Sequence, residues 1–182
     1  MERVWLGFGS NLGDSRKILQ QAWQKLGQEE TIRLITFSAP YASEPVGMES
    51  DNRFLNAVGI LETNLSPHDL LGLLQKVEKG FGRKVKTGMD EYQDRLLDLD
   101  ILFFSDIKST ESNLLLPHPH IADRLFVLAP LAEIDPEHRH PRTGKRVQQM
   151  YDALVQKMKD GITVLQEVQQ ETWMSEKETK LP

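Results

Sequence analysis

The chain has 182 residues, with 22 Lys and Arg against 27 Asp and Glu, a net charge of −5 and no cysteine. That length suits one domain with a tail, and the missing cysteine excludes disulfides, thiolate zinc sites and cysteine nucleophiles. The acidic balance disfavours a general nucleic-acid coat protein but leaves room for a local basic pocket for a small anion.

Residues 3–8 (RVWLGF) are apolar and aromatic and end at Gly9-Ser10-Asn11, which predicts a strand running into a turn. Ile18, Leu19, Ala22, Trp23 and Leu26 recur at helical spacing, with Asp14 or Ser15 as cap and Gly27 as stop. Residues 32–38 predict a second strand, 39–52 a polar loop with two prolines, and 54–63 a third strand. Ser66-Pro67-His68-Asp69 is a capping box with proline at the first helical position. Leu70, Leu71, Leu74, Val77 and Phe81 follow on one face, and Gly80 and Gly82 close the helix. A polar loop over 83–94 leads to a fourth strand over 96–104.

The order strand, helix, strand, strand, helix, strand is the split βαβ arrangement: an α+β, ferredoxin-like βαββαβ antiparallel sheet with two helices on one face. Helical signals over 124–132 and 146–158 predict C-terminal helical additions. Residues 162–168 can form a late strand, and from Gln169 the polar, charged chain reads as a frayed tail. The expected division is a domain over 1–160 and an extension over 161–182. No apolar run approaches the roughly 18 residues of a membrane span, and Met1-Glu2-Arg3-Val4-Trp5 does not open a secretory signal. A soluble cytoplasmic protein is the expectation.

The most informative stretch is Arg95-Leu96-Leu97-Asp98-Leu99-Asp100-Ile101-Leu102. Side chains alternate along a strand, so Asp98 and Asp100 share one face while Leu97, Leu99 and Ile101 share the other. Two adjacent carboxylates repel and need a cation between them. Mg²⁺ fits, because it takes a few carboxylates, keeps waters and accepts phosphate oxygens. The plain alternative is a half-exposed strand whose polar face carries two aspartates. Aspartate is depleted in strands, and the rest of this one is strongly apolar, which favours the functional reading.

Gly7-Phe8-Gly9-Ser10-Asn11-Leu12-Gly13 approximates a dinucleotide fingerprint, but the third glycine falls one place late, and a tight turn is the expected reading. No phosphate loop of the G-x-x-x-x-G-K-[ST] type occurs. Arg83, Lys84, Lys86, Arg95 and Arg124 flank the aspartates in sequence, which suits a metal-bridged polyphosphate or else a solvated loop. Without cysteine or a helical H-x-x-x-H, His118 and His120 do not suggest zinc. His138 and His140 read as surface residues, and His68 as structural.

Seven stretches occur in a distinctive order: Gly9-Ser10-Asn11; Tyr41-x-Ser43-x-Pro45-x-Gly47; Phe54-Leu55-Asn56-Ala57; Glu78 with Gly82-Arg83; Arg95-x-x-Asp98-x-Asp100-Ile101-Leu102; Pro117-His118-Pro119; and Arg124-x-Phe126-Val127-Leu128-x-Pro130-Leu131. Together they resemble the 6-hydroxymethyl-7,8-dihydropterin pyrophosphokinases of folate biosynthesis, over about residues 3–146. The resemblance implies transfer of the β,γ-diphosphate of MgATP to the pterin hydroxymethyl oxygen, with release of AMP. It implies that Asp98 and Asp100 hold two Mg²⁺ ions, and that Arg83, Arg95, Asp98 and Asp100 form the catalytic set. ATP would meet Glu78, Arg83, Arg95, Ile101, His118 and Arg124; the pterin would meet Ser43, Pro45, Val46, Asn56, Asp98 and Phe126. The segments 39–52 and 83–94 would be lids. The family's Trp-Gly-Pro-Arg reads Tyr92-Gln93-Asp94-Arg95 here, in a loop about two residues longer. The expected partners are ATP and 6-hydroxymethyl-7,8-dihydropterin, bound by a monomer with no nucleic-acid or membrane partner.

Two other readings compete. Ferredoxin-like sheets also bind RNA, but Arg53-Phe54-Leu55-Asn56 lacks the aromatic pattern that this needs. A different Mg-nucleotide enzyme on the same fold would make ADP, so product identity separates it.

Overall fold

The computed structural model describes residues 1–45, 52–82 and 95–174. Strand β1 (Glu2–Ser10) leads through the turn at Gly13 into helix α1 (Ser15–Leu26), and the Asp14 carboxylate caps the helix by accepting from the Lys17 amide at 3.2 Å. Strand β2 (Ile32–Phe37) follows, then a short β3 (Tyr41–Ser43) and the long β4 (Phe54–Thr63). Helix α2 (Pro67–Gly80) starts on Ser66, whose hydroxyl accepts from the Asp69 amide at 3.2 Å. Strand β5 (Asp98–Phe104) begins two residues later than expected. A small hairpin of β6 (Ser109–Glu111) and β7 (Leu114–Leu116) precedes helices α3 (Leu125–Ile134) and α4 (Val147–Lys159), and β8 (Val168–Gln170) is the last strand.

The main sheet runs β5-β1-β4-β3-β8, with β2 also paired to β4, and every pairing is antiparallel. β2 and β3 share one sheet position, because β2 pairs with the end of β4 and β3 with its start. This is the expected α+β, βαββαβ order.

The strand alternation divides the core into two layers. Val4, Leu6, Phe8, Leu55, Ala57, Leu61, Leu97, Leu99 and Ile101 face α1 and α2. Trp5, Val58, Ile60, Leu102 and Phe103 face α3 and α4. Gly59 lies on the first face, where an added Cβ would come within 2.5 Å of the Trp23 ring; only glycine lets that indole seat against the sheet.

Several expectations need correction. The predicted loop over 39–52 contains β3, a strand of three residues held by partners on both sides. His138 is half-buried: its ring packs on Trp5 at 3.9 Å between centroids, tilted by 32°, and meets Phe103 edge-on at 4.5 Å. His140 also meets the Phe103 ring, at 5.7 Å. The late strand falls at 168–170, not 162–168, and the chain just beyond it is docked. Trp173 stacks on Phe37 at 4.9 Å, Phe37 stacks on Trp23 at 4.8 Å, and the Trp173 indole N–H donates to the Ser38 carbonyl at 2.9 Å. Trp173→Ala is therefore expected to lower stability by about 2 kcal/mol, from one lost stacked pair and one lost hydrogen bond. Chemical denaturation checks this; an unchanged midpoint would mean that the contact contributes nothing.

Candidate active site

The site lies on the α3 side of the sheet, over β5, β1 and β4. Register explains why a trough forms there. Asp98 pairs with Gly9, which pairs with Asn56; Asp100 pairs with Gly7, which pairs with Val58. Each row across the sheet thus has a glycine at its centre. An added Cβ at Gly9 would stand 3.6 Å from Asn56 Oδ1 and 3.8 Å from Asp98 Cβ, so both neighbours border the space that the glycine leaves open. The resulting trough opens to solvent, and Gly7, Gly9, Asn56, Asp98 and Asp100 line it.

At the acidic end, Asp98 and Asp100 project from one strand face, as period-two alternation requires. Asp98 pairs with Arg95 at 2.7 Å. Asp100 is pushed up to about 7, first by loss of hydration and then by the Asp98 charge, with the Arg124 charge opposing. Arg95 and Arg124 both bear on Asp100 and favour its charged form. Among the described residues no group of three or more His, Asp, Glu or Cys side chains forms a metal cluster. Asp98 and Asp100 line the cavity with carboxylate oxygens, a donor set that suits a hard cation such as Mg²⁺.

Supporting contacts fix these groups from behind. Glu78 is buried, and its carboxylate accepts from the Leu99 amide at 2.9 Å, between the two aspartates. Asn11 and Arg95 exchange two bonds: Asn11 Oδ1 accepts from the Arg95 amide at 2.7 Å, and the Asn11 amide donates to the Arg95 carbonyl at 3.1 Å. The His118 amide donates to the Leu102 carbonyl at 2.9 Å. His118 Nδ1 accepts from the His120 amide at 3.2 Å, which leaves the ring proton on Nε2. Burial, with the Arg124 charge second, pushes this imidazole down to about 4, so it is neutral near pH 7.

At the apolar end, Phe54 and Phe126 both line the cavity. Asn56 is buried and donates from Nδ2 to Ser43 Oγ at 3.0 Å and to the Tyr41 carbonyl at 3.4 Å. Its Oδ1 is turned to the Gly9 side as an acceptor. The Arg124 guanidinium lies 5.7 Å from the Phe126 ring centroid, so this residue joins the two ends of the trough.

Of the residues singled out in the sequence, Ser43, Asn56, Arg95, Asp98, Asp100, His118, Arg124 and Phe126 come together around this cavity. Pro45 does not line it. Glu78 and Ile101 do not line it either: Glu78 reaches the β5 main chain, and the Ile101 side chain is buried in the α1–α2 layer. Val46 and Arg83 lie outside the described residues, as do Lys84, Lys86 and most of the two expected lids. Sequence reasoning missed Gly7, Gly9 and Phe54. Gly7 and Gly9 are not turn residues but the floor of the trough in β1. Their two-residue spacing, matched to that of the aspartates, was the available signal.

The model of the family described as 7,8-dihydro-6-hydroxymethylpterin-pyrophosphokinase (HPPK) matches residues 5–136. A 2-amino-4-hydroxy-6-hydroxymethyldihydropteridine pyrophosphokinase of Porphyromonas gingivalis is 42% identical over 137 residues, covering 75% of this chain and 92% of that protein. The folic acid synthesis protein fol1 of Schizosaccharomyces pombe is 37% identical over 151 residues, which is 83% of this chain and 20% of that longer protein. Among solved structures, wild-type Plasmodium falciparum HPPK-DHPS with SDX-DHP superposes with a TM-score of 0.71 at 16% identity, a likeness of fold alone. That match covers 88% of this chain and 45% of the other.

Proposed function

The chain belongs to the 7,8-dihydro-6-hydroxymethylpterin-pyrophosphokinase family, ATP-dependent diphosphotransferases of folate biosynthesis, and we propose how the residues of its cavity divide that reaction. The hydroxymethyl oxygen of the pterin attacks the β-phosphorus of ATP. The bond from that phosphorus to the α-phosphate oxygen breaks, AMP leaves, and the hydroxyl proton is lost. The observation that carries the assignment of roles is the single trough with paired carboxylates at one end and two phenylalanines with an amide acceptor at the other.

Asp98 and Asp100 would hold Mg²⁺, two ions in this reading, which would supply positive charge against the phosphate chain. Arg95 and Arg124 stabilise charge that spreads over the transferred phosphoryl oxygens, and Arg83 is assigned the same work. His118, neutral and protonated on Nε2, donates to the nucleotide. Phe126 and Phe54 offer faces to the flat pterin, and Asn56 Oδ1 accepts from its ring N–H donors. Glu78 supports β5 from behind and does not act as a ligand. Residues 1–160 form the catalytic unit and 161–182 an extension; the chain acts as a monomer in the cytoplasm. No helix among the described residues is long and apolar enough to cross a membrane.

Arg95→Ala tests the division of labour. Turnover is expected to fall on the order of 100-fold, the usual cost of one preorganised donor to developing charge. Calorimetric pterin affinity, with a non-hydrolysable ATP analogue present, should change by less than about threefold, since Arg95 stands at the phosphate end. Weakened pterin binding with unchanged turnover would contradict the assignment.

A further inference from the structure

Helix α3 starts on an unusual residue. Its N-cap is Arg124, in extended backbone (φ −115°, ψ 107°), and its side chain makes no capping bond. Arginine is not among the Ser, Thr, Asp and Asn side chains that satisfy first-turn amides. Here the guanidinium is turned to the cavity instead. The first helical amide is still satisfied, from far away in sequence: Gln166 Oε1 accepts from the Leu125 N–H at 2.8 Å. The same side chain donates from Nε2 to the Asp123 carbonyl at 2.7 Å. One amide group therefore holds the peptide units on both sides of Arg124, and its two bonds admit only one orientation.

Gln166 is itself anchored. Its amide N–H donates to Met158 Sδ of α4 at 3.4 Å. Two residues later β8 begins, pairing Val168 with Ser43. Glu171 then binds Arg16 at 2.6 Å, and its amide donates to the Pro40 carbonyl at 2.8 Å. The extension thus runs from the start of α3 to the strand that carries Ser43, touching both walls of the trough. It lies beyond the 5–136 span of the family match.

We propose that Gln166 is a positioning residue for Arg124: by fixing the main chain on both sides of it, Gln166 sets the direction from which the guanidinium reaches the phosphates of ATP. The inference rests on the role given to Arg124 above. Phe126 packs against the α3–α4 core layer, so the pterin end should be little affected.

The test is steady-state kinetics on four full-length proteins: wild type, Gln166→Met, Arg124→Ala and the double variant. Methionine keeps the length of the side chain and removes both bonds. Gln166→Met is expected to lower kcat/KM for MgATP by about 5- to 10-fold, with the pterin KM within about twofold. In the Arg124→Ala background the same substitution should cost less than about twofold, because its effect passes through the missing guanidinium. If Gln166→Met does not fold, Gln166→Glu replaces it. Glutamate keeps the acceptor for Leu125 and loses the donor to Asp123, so a smaller loss with the same cancellation is expected. Wild-type kinetics in the Gln166 variant, or equal losses in both backgrounds, would overturn the proposal and leave the Arg124 role intact. Wild-type kinetics in Arg124→Ala would overturn that role, and the proposal with it.

Discussion

In Asp98→Asn and Asp100→Asn, turnover is expected to fall by roughly 1,000-fold or more, with both proteins folded. Asparagine keeps the shape of each side chain and removes the charge that a hard cation needs. The two variants should part in stability. Asp98 is the ion-pair partner of Arg95 at 2.7 Å, so Asp98→Asn should melt below wild type in the absence of metal. Asp100 is held up near 7 by lost hydration and by the Asp98 charge, so removing its charge relieves repulsion and Asp100→Asn should melt no lower than wild type. Thermal unfolding beside a turnover assay reads both effects. A wild-type rate in either purified variant would remove the metal role assigned to that residue. At Asp100 the site then gives up stability for charge placement, as functional sites often do.

The second large effect is expected at Gly9. This residue lies in a strand and carries no left-handed φ, so its backbone accepts a β-branched side chain. In Gly9→Val the new Cβ meets Asn56 Oδ1 at 3.6 Å and Asp98 Cβ at 3.8 Å, both ordinary contacts. The two methyl groups beyond it then enter the trough between the amide and the carboxylate. Forcing a ligand against such groups costs about 1–3 kcal/mol, so pterin affinity should fall by about 5- to 150-fold. The folded state should be retained, because valine suits a strand. Calorimetry with the pterin and thermal unfolding test this together. Unchanged pterin affinity in a folded Gly9→Val protein would show that the substrate does not use the floor of the trough.

The parts of the fold that were legible in the sequence were those with local causes. The Asp14 and Ser66 caps, the apolar stripe of α2 and the period-two placement of Asp98 and Asp100 all follow from neighbours a few residues away. The parts that were not legible depend on distant partners. β3 has three residues, too few for a periodic signal, and exists because β4 and β8 pair with it on both sides. Trp173 sits in a polar segment that reads as a tail, and only the sheet edge and Phe37 reveal where it docks. Gly9 reads as a turn glycine because its facing residue, Asp98, is about ninety positions away. The candidate site was legible residue by residue through its chemistry, while its supports were not. Asn11 behind Arg95 and Gln166 behind Arg124 are polar residues whose partners appear only when the chain is folded.

The most direct test of the account is product identity. Purified protein is incubated with MgATP and 6-hydroxymethyl-7,8-dihydropterin, and the nucleotides are separated by chromatography. AMP is expected, formed only when the pterin and Mg²⁺ are both present, together with a diphosphorylated pterin in equal amount. ADP as the product, or nucleotide turnover that does not depend on the pterin, would contradict it.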